Sequence, residues 1–245
     1  MTKSLTFLLA AAVVATGACQ KDSSPIKTTS DGGTNVSSPA DSMAAKGKSL
    51  VRIVNAARGG DVSVQLSNLP LFNDVKPATV TDYREIANNL GDFSVFAAGS
   101  TEGVAIAEKE RMLLDGNRYS VFVVAEDVSK TSLRVVKDEV IPDSGKARLR
   151  VFNAAPGAPS FDIAIVGATG ALFKDVGFKG EAGYADLTPA KVTLQFRATG
   201  ESKVLLSIPN LDLKQSTATT IVVTGAGKLA YFTFVDALMA PTPKS

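Results

Sequence analysis

The chain has 245 residues and carries 26 Lys and Arg against 24 Asp and Glu, a formal net charge of +2. It contains no histidine and no tryptophan, which excludes His-based triads, His general acids or bases and His-containing metal sites, and removes the strongest stacking surface for sugars. Its single cysteine, Cys19, excludes an internal disulfide, and a near-neutral charge supplies no phosphate-binding patch, so neither nucleic acid nor a cofactor is expected.

Residues 1–18 read as a signal peptide. Lys3 gives the positive start, Leu5 to Ala15 the apolar run, and Thr16-Gly17-Ala18 the small-residue exit. That run is shorter than the ~20 residues a transmembrane helix needs. Thr16-Gly17-Ala18-Cys19 resembles the lipobox of bacterial lipoproteins, with Thr16 where the family usually has Leu. The resemblance implies that Cys19 is diacylated, by palmitate-type chains, and becomes the mature N-terminus. More than one acyl chain meets the two-signal requirement for stable anchoring. Next, Gln20-Lys21-Asp22 resembles the lipoprotein export signal of Bacteroidetes, with Ser23 where another acid is usual. It implies an outer-membrane protein exposed at the cell surface.

Residues 19–49 read as a flexible tether, rich in Ser, Thr, Gly, Asp, Lys and Pro and poor in large apolar residues. Within it, Asp41-Ser42-Met43 resembles a short O-glycosylation motif of Bacteroidetes. Ser24-Pro25-Ile26-Lys27 has the Ser-x-x-Lys spacing of some acyl-transfer enzymes, but a tether positions no nucleophile.

Beyond the tether the chain repeats itself. Val51-Arg52-Ile53-Val54-Asn55-Ala56-Ala57 returns as Leu149-Arg150-Val151-Phe152-Asn153-Ala154-Ala155, a spacing of 98 residues from Asn55 to Asn153. That is the length of one small β-sandwich, not of a solenoid unit. We therefore expect an all-β chain with two tandem Ig-like antiparallel β-sandwich domains, at 50–143 and 146–238. The predicted strands of the first are Leu50 to Asn55, Val62 to Leu66, Phe93 to Ala97, Val104 to Ala107, Arg118 to Ala125 and Leu133 to Lys137. Turns are expected at Arg58-Gly59-Gly60, Gly91-Asp92 and Asp115-Gly116-Asn117. In the second, strands are predicted at Leu149 to Asn153, Phe161 to Val166, Val192 to Ala198, Val204 to Ile208, Thr219 to Thr224 and Leu229 to Val235. Correspondence is good at the ends of the repeats and poor in the middle. Pro142-Asp143-Ser144-Gly145 is a short junction, which predicts sandwiches held end to end. Opposite charges, −3 for 50–146 and +3 for 147–245, favour their association.

Leu149 to Asp162, followed by Gly183-Tyr184, Leu187-Thr188-Pro189-Ala190 and a late Thr-Ile-Val-Val-Thr-Gly strand, resembles the bacterial family called domain of unknown function 4397. The resemblance covers about 147 to 238. The first repeat shares Val54-Asn55-Ala56-Ala57 but has Arg58-Gly59-Gly60 in place of the Pro-rich turn. Secreted or lipid-anchored β-sandwich proteins are implied, without catalytic residues.

The residues themselves favour structural roles. Asn55 and Asn153 end strands and are expected to bond nearby backbone. Arg52 and Arg150 are expected on outer strand faces, paired to a carboxylate. Gly225-Ala226-Gly227-Lys228 lacks the first Gly and the hydroxyl residue of a phosphate loop, and reads as a hairpin turn. The acidic pairs Glu108 and Glu110, Glu126 and Asp127, and Asp138 and Glu139 read as solvated surface charge, with no dense acidic series for calcium. The expected function is a non-enzymatic binding or adhesion module, lipid-anchored in the membrane, whose partner is a surface glycan or an envelope protein. The alternative is a structural or accessory subunit of an outer-membrane or periplasmic assembly.

Overall fold

The computed structural model describes residues 34–37, 46–87, 90–100 and 104–237. The leader, the lipobox Thr16, Gly17 and Ala18, Cys19, the Gln20-Lys21-Asp22 signal, and the Ser24 to Lys27 and Asp41 to Met43 motifs lie outside the described residues.

Among the described residues the chain is all-β. The short strand β1 (Thr34–Ser37) precedes the first half, which consists of β2 (Lys48–Asn55), β3 (Val62–Leu66), β4 (Leu69–Val75), β5 (Thr79–Val80), β6 (Arg84–Ala87), β7 (Leu90–Ala97), β8 (Ala107–Met112), β9 (Arg118–Ala125) and β10 (Thr131–Lys137). The second half consists of β11 (Ala147–Asn153), β12 (Phe161–Ile165), β13 (Phe173–Val176), β14 (Glu181–Leu187), β15 (Ala190–Ala198), β16 (Val204–Leu213), β17 (Thr217–Thr224) and β18 (Ala230–Ala237).

Each half is a two-sheet sandwich. In the first, one sheet has the order β10-β9-β2-β5 with β6 also on β2, and the other β4-β3-β7-β8. In the second, β1-β18-β17-β11-β14 faces β13-β12-β15-β16. Most neighbours are antiparallel, but β2 runs parallel to β9 and β11 parallel to β17, with Asn55 opposite Val123 and Asn153 opposite Val223. The shared topology extends the sequence repeat to three dimensions. Its poor middle has a local cause: β14 pairs with β11 as one bulged strand, whereas β5 and β6 split the same role on β2.

The halves do not sit end to end. Alternate residues of β2 and β9, Val51, Ile53, Val121 and Val123, pack onto Val64, Phe93 and Val95 inside the first sandwich. Their neighbours Val54, Phe122 and Val124 point the other way and pack on Phe152, Val222, Phe232 and Phe234 of the second half. The second sandwich has its own core around Leu149, Phe161, Phe196 and Ile221. Four sheets are thus stacked face to face, and the two inner ones are buried on both faces. Apolar area on both faces of β9 and β17 outweighs any end-to-end contact a short junction would leave.

Other local expectations change for equally local reasons. Gly91-Asp92 lies inside β7, not in a turn: a Cβ at Gly91 would meet Leu66 Cδ1 at 2.8 Å and Leu113 Cδ1 at 3.0 Å. The strand predicted at Val104 to Ala107 falls instead on β8, whose Ala-Glu-Lys-Glu-Arg-Met is almost wholly exposed. As an edge it needs only backbone pairing with β7, so it carries no apolar alternation. Strands β4, β5, β6, β13 and β14 were not anticipated, and β1 places a parallel edge strand on β18 within the stretch read as tether.

The Gly225 to Leu229 segment is a hairpin turn between β17 and β18, as expected. Gly225 has φ of 108°, and a Cβ there would lie 2.2 Å from the Lys228 carbonyl oxygen, whereas Gly227, at φ 78°, has open space around it. Gly225→Ala is therefore expected to cost about 3 kcal/mol or more, and Gly227→Ala only about 1 kcal/mol. Urea unfolding of the two variants checks the order.

Candidate functional site

The inner sheets meet across a buried ionic seam. Arg52 and Arg150, on the outward faces of β2 and β11, are covered by the opposite half, and their side chains and those of Asp138 and Asp236 are 0 % exposed. Arg52 of the first half donates to Asp236 of the second through Nη1 at 2.7 Å and Nη2 at 3.0 Å. Reciprocally, Arg150 of the second half donates through Nη1 to Asp138 of the first at 2.7 Å. The exchange is pseudo-symmetric.

Hydroxyls complete the network. Ser120 accepts from Arg52 Nε at 2.8 Å and donates to Asp138 at 2.6 Å, and Tyr83 donates to the same Asp138 oxygen at 2.7 Å. Thr220 is the counterpart of Ser120 and accepts from Arg150 Nε and Nη2 at 3.3 and 3.2 Å. Each guanidinium also lies on rings: Arg52 over Tyr83 at 4.3 Å and Phe234 at 4.6 Å, Arg150 over Tyr184 at 4.8 Å. Phe122 and Phe152 stack across the seam with centroids 3.9 Å apart.

These surroundings decide the charge states. Burial opposes ionisation of Asp138, but Arg150 and then Arg52, with hydrogen bonds from Ser120 and Tyr83, hold its carboxyl below the usual range. Burial likewise opposes the charge on Arg52, and Asp236, Tyr83 and Asp138 outweigh it, raising its pKa further. The reading of Asp138 as solvated surface charge is overturned, because the second half covers it. Arg52 and Arg150 are paired to carboxylates as expected, but across the seam instead of along an exposed face. Sequence reasoning missed Asp138, Asp236, Tyr83 and Tyr184. One signal was available, since Asp138 and Asp236 are 98 residues apart, the spacing of Arg52 and Arg150.

Asn55 and Asn153 bind backbone, as expected. Each Oδ1 accepts the amide two residues on, from Ala57 and Ala155, both at 3.0 Å, and each Nδ2 donates to the facing sheet, at Val75 O, 2.8 Å, and Val176 O, 3.1 Å. They pin the loop that follows β2 and β11 to the second sheet of each sandwich. Those loops line a cleft.

This cleft, of about 590 Å³, is lined in the first half by the loop Ala57 to Val62, Ile106 and the β9–β10 turn at Glu126 to Val128, and in the second half by Pro156, Gly157 and Ala226. Arg58 and Val128 are exposed. Glu126 bridges Lys130 and, across the seam, Lys179, whose hydrogen bonds hold its carboxyl at about 2. A second cavity of about 500 Å³ is lined by Gly157 to Pro159, Leu205 to Ser207 and Gly227 to Leu229. Its elements are the counterparts of those of the first: the loop after β11, the start of β16 and the β17–β18 turn. One end of the molecule thus presents two related, mostly apolar hollows, suited to holding a ligand by contact. Among the described residues no group of three or more Cys, Asp or Glu converges as cation ligands. Glu108 and Glu110 lie exposed on β8.

Residues 49–164 match the model of a family described as Domain of unknown function (DUF4397). The match covers the first half, the junction, β11 and most of β12, whereas the motifs placed the fuller resemblance at 147 to 238. No curated protein matches the chain. Among solved structures, the C-terminal domain of AlgF from P. aeruginosa is similar at 24% identity over 38% of this chain and 100% of that one, with a TM-score of 0.30. CBMbc, a family CBM26 module of Eubacterium rectale Amy13K solved with maltoheptaose, is 15% identical over 79% of this chain and 98% of that one, TM-score 0.25. A candidate cell adhesion protein from Bacteroides ovatus is 10% identical over 81% of this chain and 100% of that one, TM-score 0.28.

Removing one partner from the seam leaves an uncompensated buried charge, so Arg150→Met or Asp236→Asn is expected to destabilise the fold by about 3–5 kcal/mol, while an apolar replacement of both members of a pair recovers most of it. Denaturant unfolding of single and double variants checks this. The depressed Asp138 carboxyl also sets an acid limit. Its folded pKa lies below the unfolded value of about 3.9, so its contribution is fully present above that value and is lost as pH falls through the folded pKa. Stability is expected to be flat in this group's contribution from pH 8 to about 5 and to fall below about 4.

Proposed function

We propose that the chain is a lipid-anchored protein of the outer membrane, exposed at the cell surface, whose two tandem domains of the matched family act as a non-enzymatic binding or adhesion module. In this reading residues 1–18 are removed, Cys19 is acylated, Gln20-Lys21-Asp22 directs export, 19–49 is the stalk, and 50–143 and 146–238 are the domains. The observation that carries the binding role is the pair of equivalent hollows at one end of the stacked sandwiches. Duplicated hollows on one body engage repeating units of a polymer together, and linked weak sites gain avidity without new contacts.

A surface glycan or envelope protein is the partner class. Support for the anchor comes from the apolar run ending on Thr16-Gly17-Ala18-Cys19. Support for a rigid two-domain body comes from the Arg52–Asp236 and Arg150–Asp138 exchange and from the junction, where Arg148 binds Asp186 at 2.6 and 2.7 Å and the Glu139 carbonyl at 2.8 Å.

Two measurements test the reading. Protease treatment of intact cells is expected to shave the wild-type protein, and Cys19→Ala is expected to abolish both acyl labelling and retention on the cell. Retention of the Cys19→Ala chain on immobilised envelope polysaccharide, host glycan and matrix protein is expected to fall about tenfold or more in Ile106→Asp and Val128→Asp variants. Protection until the outer membrane is permeabilised sinks the surface placement. Recovery of one stoichiometric envelope partner, with no glycan retained, replaces adhesion by the accessory-subunit reading.

A further inference from the structure

On the flank of the seam, sharing no lining residue with the loop-end cleft, a cavity of about 330 Å³ is walled by both halves. Arg111 comes from β8 and Arg134 from β10, strands of different sheets of the first sandwich, while Glu181 and Tyr184 come from β14 of the second. The charges of the wall are unevenly committed. Lys137 lies 3.7 Å from Glu139, and Glu181 lies 4.0 Å from an Arg150 already bound to Asp138. The Arg111 and Arg134 side chains form no hydrogen bond or salt bridge with the described residues, although Arg134 lies close enough to Glu181 to act on its charge. The Tyr184 hydroxyl is buried with no partner among those residues, and its ring lies against Arg150 at 4.8 Å and Arg148 at 5.6 Å.

Two guanidiniums line one hollow, and each offers a planar pair of donors matched to a carboxylate or sulfate. Three cations and two carboxylates in the wall leave a surplus of one positive charge. That balance suits a single anionic group and disfavours a phosphate dianion or a polyanionic strand. Glu139 and Glu181 accept hydrogen bonds, as hydroxyl groups require. The volume is at the small end of ligand pockets, about 300–1,000 Å³, enough for one ring.

We propose that this flank cavity binds a sugar unit carrying one anionic group, a carboxylate or a sulfate, with Arg111 and Arg134 on the anion and Glu139 and Glu181 on its hydroxyls. The site lies outside the loop-end reading and stands or falls separately from it. The structure places it so that ligand contacts both halves at once, which ties binding to the assembled seam.

Isothermal titration of the Cys19→Ala chain with a glucuronate-containing disaccharide, a sulfated glucose disaccharide, neutral maltose and inorganic sulfate tests the proposal. One or both anionic sugars are expected to bind at least about tenfold more tightly than maltose and than sulfate alone, and which of them binds identifies the anion. Arg111→Gln and Arg134→Gln are each expected to weaken that binding about tenfold, the loss of one charge-assisted contact. Lys203→Gln, which removes an exposed positive charge outside the cavities described, is expected to leave it unchanged. Both arginines are exposed, and far-UV circular dichroism verifies that the variants fold. Equal binding of maltose, equal binding of inorganic sulfate, or wild-type affinity in both arginine variants overturns the site.

Discussion

The structure depends on the crossed pair of buried ion pairs, Arg52 with Asp236 and Arg150 with Asp138. Four charged side chains with no access to water carry a desolvation penalty that only close, well-directed partners offset. The closest partners come from opposite halves, with Arg52 also 3.7 Å from Asp138 of its own half, so the penalty is best offset when the two sandwiches are stacked in one register. Either half alone would expose an apolar sheet face with a charged residue at its centre. The seam therefore specifies the arrangement more than it strengthens it. Stability along the same surface comes from Phe122, Phe152, Phe232 and Phe234 and the valines around them.

That register fixes what the surface offers. Because the inner sheets are parallel in connection, with β2 beside β9 and β11 beside β17, the loops that follow β2 and β11 are held near the β9–β10 and β17–β18 turns. Asn55 and Asn153 lock each loop to the facing sheet. The larger hollow is consequently a property of the stacked body and takes part of its wall from each half, whereas the smaller is lined by the second half alone. Lys179 reaching Glu126 across the seam ties the cleft to the same assembly. On the flank, the covering of Arg150 by β14 and Tyr184 is what brings Glu181 opposite Arg111 and Arg134.

A protein built this way has its chemistry at the junction of two copies and little inside either one. The interior of each sandwich is mainly Val, Ile, Leu and Phe, and the buried Asn55 and Asn153 are tied to backbone. Substitution at exposed loop tips such as Val128 leaves the stack untouched.

The sequence by itself determined the all-β class and many of the strands, because runs of Val, Ile and Phe between turn residues are local signals, and it carries a 98-residue echo that the matching strand orders of the two halves parallel. It also determined the local bonds of Asn55 and Asn153 to the amides of Ala57 and Ala155 and the Gly225 turn, whereas the bonds of the same asparagines to Val75 and Val176 on the facing sheet needed the fold. Strands such as β8 escaped it, since an edge strand can be charged throughout when only its backbone is paired. How the halves meet was decided by the tertiary structure alone. Val121 to Ala125 and Ile221 to Val223 are apolar on both faces, which marks a second buried side, but which surface fills it is a matter of contacts between residues far apart in the chain. Asp138 illustrates the limit: its composition reads as surface charge, and only the arrival of Arg150 from the other half makes it a buried anion.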